Sequence, residues 1–138
     1  VIRPAEVVLP VLREALPEVS VVTWMADVQQ RTLPMILVRP LGGYRHDRRP
    51  KDLTLRVIEM SAHTASDLAD TEQLYDRALE ALYAAWERQT VVADKGWVHS
   101  ITETMGPTQL SPLFEDSWRV QGLIRLGLRP AHPVYTIP

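Results

Sequence analysis

Cysteine is missing from the chain altogether, which excludes thiolate metal sites, cysteine nucleophiles and a disulfide framework. Lysine is nearly missing too, since thirteen of the fifteen basic residues are arginines. Apolar runs such as residues 35 to 38 and 82 to 86 fall far short of a bilayer span, and the first residues, VIRP, open no signal-peptide hydrophobic region. A soluble chain, intracellular where it is made, is therefore expected. Charge of one sign is also lacking: the formal net charge is −2, so no global field draws the chain to nucleic acid.

What is present is an ordinary globular composition, 46% hydrophobic and 23% charged over 138 residues. That length buries a core without staples, so residues 1–138 are expected to form one domain. In residues 4 to 16, Val7, Val8, Val11, Leu12, Ala15 and Leu16 recur at helical spacing, with Pro10 as a kink or a start and Pro17 as a stop. Residues 19 to 24, VSVVTW, and 35 to 39, MILVR, read as β-branched strands, the second ended by Gly42-Gly43. From Leu53 to Val57 apolar and polar residues alternate, so these two later strands form a hairpin with a long basic loop, about 41–52.

Thr64 and Asp67 resemble a helix start, with Asp67, Asp70 and Glu72 placing negative charge where the helix dipole favours it. The stripe Leu68, Thr71, Tyr75, Leu79, Leu82 and Trp86 predicts a long amphipathic helix with an acidic back. Residues 97 to 104 and 117 to 128 read as two further strands, the last alternating Trp118, Val120, Ile124, Leu126 and Leu128 against Arg119, Gln121 and Arg125. The expected fold is α+β: a mostly antiparallel sheet of about four to five strands with two main helices packed on it, in the order α-β-β-β-α-β-β.

Chemistry is harder to find. Leu41-Gly42-Gly43-Tyr44 lacks Walker spacing, and His46, His63, His99 and His132 lie on separate segments without metal-ligand spacing, so they read as surface or loop histidines. His46 beside Asp47 has no nucleophile to serve, and Asp67/Asp70 and Asp76/Glu80 fit a solvated helix face. Trp24, Trp86, Trp97 and Trp118 read as core. No enzyme activity, metal or cofactor is expected.

Two features exceed what a lone domain needs. One is the basic tip, Arg45, His46, Arg48, Arg49 and Lys51, which suits phosphates, carboxylates of another subunit, or solvent alone. The other is the pair of irregular apolar segments carrying Leu110, Leu113 and Phe114, and Val134, Tyr135 and Ile137, which either fold back on the core or wait for a neighbour.

The succession VLPVLREALP, MILVRPLGG, the basic loop, DLTLRVIEMSAHT running into ASDLADTEQLYDRALEAL, and the late SWRVQGLIRLGLRP resembles the tail terminator (tail completion) proteins of long-tailed phages, of the actinobacterial siphophage type. The resemblance implies a subunit of a ring, expected to be a hexamer, that caps the head-proximal end of the tail tube and stops its polymerisation. Its partners would be itself, the major tail tube protein and the head-tail connector or stopper protein, with no membrane and only transient, non-specific contact with DNA in the lumen. Assembly in the host cytoplasm, then residence in the virion, is implied. The basic tip would lie at a subunit or tube interface, a lumen-facing position being the alternative, and an extended C-terminal arm of about 130–138 would be ordered by assembly. Another head-tail connector or tail-completion protein, or a small nucleic-acid-binding domain using the basic tip, are the competing readings.

Overall fold

The computed structural model describes residues 2–23, 32–112 and 116–131. The elements follow the expected order: α1 (Pro4–Ala15), β1 (Ser20–Val22), β2 (Met35–Arg45), β3 (Thr54–Thr64), α2 (Leu68–Arg88), β4 (Gly96–Leu110) and β5 (Trp118–Pro130). Among the described residues one five-stranded sheet runs β1-β2-β3-β5-β4, with β1–β2 its only parallel pair. Both helices cover one sheet face, where Val7, Val8 and Leu12 of α1 and Leu74, Tyr75, Ala78 and Leu82 of α2 join Ile36, Val38, Ile58, Met60, Val120, Ile124, Leu126 and Leu128 in a single core. Each large side chain fully buried there contributes about 1.5–3 kcal/mol.

α1 opens with Pro4 in the first turn, where a missing N–H costs nothing, and carries Pro10 inside the helix without stopping. It ends at Ala15, and the Arg13 guanidinium reaches from its last turn to the Val21 carbonyl oxygen, donating from Nε at 3.2 Å and Nη2 at 2.9 Å. That bond ties the helix to the three-residue edge strand β1. α2 is capped by Asp67, not Thr64: the Asp67 carboxylate accepts the Asp70 amide at 2.7 Å, while Thr64 bonds sideways to the Thr71 hydroxyl at 2.8 Å. Its buried face includes Leu74, Ala78 and Ala85 and leaves Trp86 38% exposed.

β2 and β4 run six residues past their expected ends. Gly42-Gly43 does not end β2. The strand continues to Arg45 through a bulge in which three steps on β2, Pro40 to Gly43, match two on β3, Ile58 to Arg56. Both glycines have positive φ, and a Cβ on Gly43 would stand 2.7 Å from Arg56 Cα, so no other residue fits. β4 likewise runs past residue 104 to Leu110, taking in Gly106-Pro107 beyond the expected strand. Three register breaks against β5 twist this edge strand and accommodate its proline, which only an edge strand tolerates.

Candidate functional site

The strand extension shortens the basic loop to residues 46–53 and stiffens it. The His46 amide donates to the Leu53 carbonyl at 3.0 Å, and the Asp52 and Leu53 amides both donate to the Arg49 carbonyl, at 3.1 and 2.9 Å. Pro50 suits the turn these bonds close. His46 is part of that frame, because its Nδ1 accepts the Arg48 amide at 3.2 Å. Arg45, Arg48, Arg49 and Lys51 are exposed around it, and among the described residues none of the four has an acidic partner. The structure thus gathers the five expected residues on one hairpin end: four open cations and one structural imidazole.

A surface of opposite sign, only half legible in the sequence, lies along the seam between α2 and β4. Glu72, Asp76, Glu80 and Glu87 project from α2, and Glu103 comes up beside them from β4. The Tyr83 hydroxyl donates to Glu103 at 3.3 Å, and Trp86 Nε1 donates to the His99 carbonyl at 3.1 Å, which pins both rings to β4. The two rings meet edge to face, 6.3 Å between centroids. Burial, with Glu103 and Glu80 nearby, holds the Tyr83 phenol above its ordinary pKa. Tyr75 beneath is wholly buried, its hydroxyl has no hydrogen-bond partner among the described residues, and burial, with Glu103, Asp76 and Tyr83 adding to it, pushes its pKa up to about 12. None of these carboxylates has a basic partner among the described residues.

The sheet face away from the helices carries a third polar set. Glu59 sits between Arg39 at 3.7 Å and Arg119 at 3.9 Å, and Arg119 also donates to the Gln121 side chain. His63 is no surface histidine: it is completely buried and shares a 2.8 Å hydrogen bond with the Ser61 hydroxyl. Burial, assisted by Arg119, lowers its pKa to about 4, so the ring is neutral at physiological pH. Among the described residues Nδ1 of His63 has no partner, and both residues are buried. No group of three metal-ligating side chains occurs among the described residues, and no described helix is long and apolar enough to cross a membrane.

The expected apolar contacts divide. Leu110 is the last residue of β4, partly buried, and so belongs to the sheet and not to an irregular loop. Leu113, Phe114, Val134, Tyr135 and Ile137 lie outside the described residues, as do Trp24 and His132. The first two residues of the expected arm are held to β4: Pro130 ends β5 and pairs with Gly96, and the Ala131 amide donates to the Lys95 carbonyl at 3.0 Å. Of the tryptophans expected in the core, Trp118 joins Trp86 at 38% exposure and Trp97 is half-buried, edge to face with His99 and under Arg129.

Comparison with known proteins fits this architecture. The family described as Phage tail termination protein matches residues 1–133. The chain is 49% identical over 129 residues to the Gene 22 protein of Mycobacterium phage D29 and 50% identical over 129 residues to that of Mycobacterium phage L5, covering 92% of each chain in both cases. Among solved structures, a chain of the virion of a native gene transfer agent particle shares the fold with a TM-score of 0.57 at 16% identity, over 91% of this chain and 94% of that one. A helix-covered five-stranded sheet bearing charged surfaces thus coincides with a match over nearly the full length: the chain belongs to the phage tail termination protein family, a structural component of the phage tail in the virion and not an enzyme.

Proposed function

We propose that the chain forms a ring, six subunits in one turn, that caps the head-proximal end of the tail tube, ends tube polymerisation and presents the joining surface for the head-tail connector or stopper protein. The observation that carries this reading, beyond family membership, is that the chain holds two surfaces of opposite sign in different places, the tip around residues 45–53 and the α2/β4 seam, whose cations and seam carboxylates make no ion pairs among the described residues. Patches that complement each other without coinciding make head-to-tail contacts, and such contacts close into rings when the rotation permits. Guanidinium groups suit the work because each forms two parallel hydrogen bonds with a carboxylate.

The tip residues Arg45, Arg48, Arg49 and Lys51 are the subunit or tube contacts in this reading, with His46 holding the turn. Leu113, Phe114, Val134, Tyr135 and Ile137, with Leu110 at the end of β4, supply apolar contacts ordered by assembly with the neighbouring subunit or the major tail tube protein. Assembly takes place in the host cytoplasm. DNA in the lumen passes with transient, non-specific contact, a role for which a net charge of −2 is better suited than a strongly basic surface.

Light scattering with negative-stain imaging, on the protein alone and then with its tail tube protein, tests this. A ring, free or seated on tube ends, is the expected result, lost in the Arg48→Glu plus Arg49→Glu variant. A monomer that ignores the tube overturns the reading, and steeply salt-dependent DNA binding by that monomer would put a nucleic-acid role in its place.

A further inference from the structure

We infer that the α2/β4 seam is the receptor for arginine side chains and that its occupant is the basic hairpin tip of a second copy of this chain. The inference rests on the ring reading and assigns the other half of its contact.

The seam has the parts that guanidinium recognition requires. Asp76 and Glu80 stand one helical turn apart on α2, and Glu103 faces them across the seam from β4. Carboxylates converging from two elements are fixed by the backbone of each, so they present acceptors at set positions to a planar fork of donors. Beside Glu103 lies Tyr83, edge to face with Trp86 one turn further along α2, whose ring is partly exposed. An aromatic face beside a carboxylate is the second element that favours arginine over a hydrated ammonium. Both rings are anchored, Tyr83 through Glu103 and Trp86 through the His99 carbonyl, so little side-chain freedom remains to be lost on binding.

The carboxylates alone would be an ordinary acidic helix face; the two anchored rings beside them are what distinguish them.

The tip supplies the matching chemistry. Arg45, Arg48 and Arg49, with Lys51, surround a turn held by backbone hydrogen bonds and outnumber Asp47 and Asp52 of the same loop, and none of the four forms an ion pair among the described residues. Within one chain β3 and β5 separate β2 from β4, and the tip residues Pro50 and Lys51 line a cavity with Asp94 and Lys95 ahead of β4, so the tip and the seam are distinct surfaces. That arrangement favours pairing between copies, head to tail.

The absence of cysteine makes a direct test clean. Arg49→Cys chains are mixed with Glu80→Cys or Glu103→Cys chains, with Glu14→Cys on exposed α1 as the control, assembled with tail tube protein and treated with a short bismaleimide. Mixed dimers are expected with the two seam variants and not with the control. In parallel, Glu80→Arg plus Glu103→Arg is expected to disperse the ring, and adding Arg48→Glu plus Arg49→Glu to the same chain to restore it. Restoration excludes misfolding as the cause of the loss. If rings form but the seam variants link no better than the control, this surface is wrong while the terminator reading stands. If no ring forms alone or on tubes, both fall.

Discussion

Gly122 and Tyr75 meet where α2 lies on β5, and the contact sets a quantitative test of the packing. A Cβ added at Gly122 would stand 2.8 Å from Tyr75 Cζ and 2.9 Å from the Met105 carbonyl oxygen, and closer still to the phenolic oxygen. Non-bonded carbons settle at about 3.5–4.0 Å, so Gly122→Ala must drive the ring back by roughly 1 Å. Tyr75 is wholly buried and has nowhere to retreat, which places the loss at about 1–3 kcal/mol. For a chain of this size that corresponds to a fall of roughly 3–12 °C in melting temperature. Tyr75→Phe runs the other way, because it deletes a buried hydroxyl that has no partner: it is expected to be neutral or to stabilise by up to about 1 kcal/mol. Combined, the two changes should be less costly than their sum by about 1 kcal/mol or more. Urea unfolding of the four members of the cycle, followed by tryptophan fluorescence, reads all three quantities. The reasoning is refuted if Tyr75→Phe destabilises by more than about 1 kcal/mol and Gly122→Ala has the same effect in both backgrounds.

His63 makes stability depend on pH. Its folded pKa, about 4, lies below the ordinary value of 6.5, so the unfolded chain binds the extra proton first. Stability is therefore full above about pH 6.5 and falls by on the order of 3 kcal/mol as pH drops toward 4, where the slope ends. Denaturation across that range should show the slope, His63→Gln should flatten it, and an equal slope in the variant would sink the assignment. Arg13→Ala should lose about 1–2 kcal/mol, since it strips two donors from the Val21 carbonyl, and hydrogen exchange in β1 should quicken; an unchanged exchange rate would count against the tie. Gly42→Ala meets open space and carries only its positive-φ cost of about 1–2 kcal/mol, whereas Gly43→Ala also collides with β3 and should lose more, so equal melting temperatures for the two variants would contradict the bulge.

Much of this architecture could be read along the chain, and the gaps have physical causes. The alternation in β5 and the stripe on α2 were visible because each element buries one face against one core. The ends of β2 and β3 near Met35 and His63 are buried on both faces, so alternation fades there and His63 reads like a surface residue. Residues 105–110 are held to β5 by backbone bonds while most of their side chains face solvent, and hydrophobic patterning carries no trace of such a strand. Gly42-Gly43 announces positive φ, which serves a bulge as readily as a strand end. The basic tip was legible because its residues are adjacent in sequence; the seam was not, because Glu103 reaches Tyr83 only through the fold, 20 residues away.

The β2 bulge separates two properties of the hairpin that would otherwise be linked. It stands between the half of the strand packed in the core and the half that leads to Arg45, and its shape depends on two backbone dihedrals and a close approach to β3. Side chains at the tip have no part in that geometry. Substitutions at Arg48, Arg49 or Lys51 can therefore alter which surface the hairpin recognises without altering where it points, while a substitution at Gly43 changes its direction and leaves its chemistry intact. Aim and affinity are encoded at different positions, and a hairpin built this way can be retargeted one property at a time.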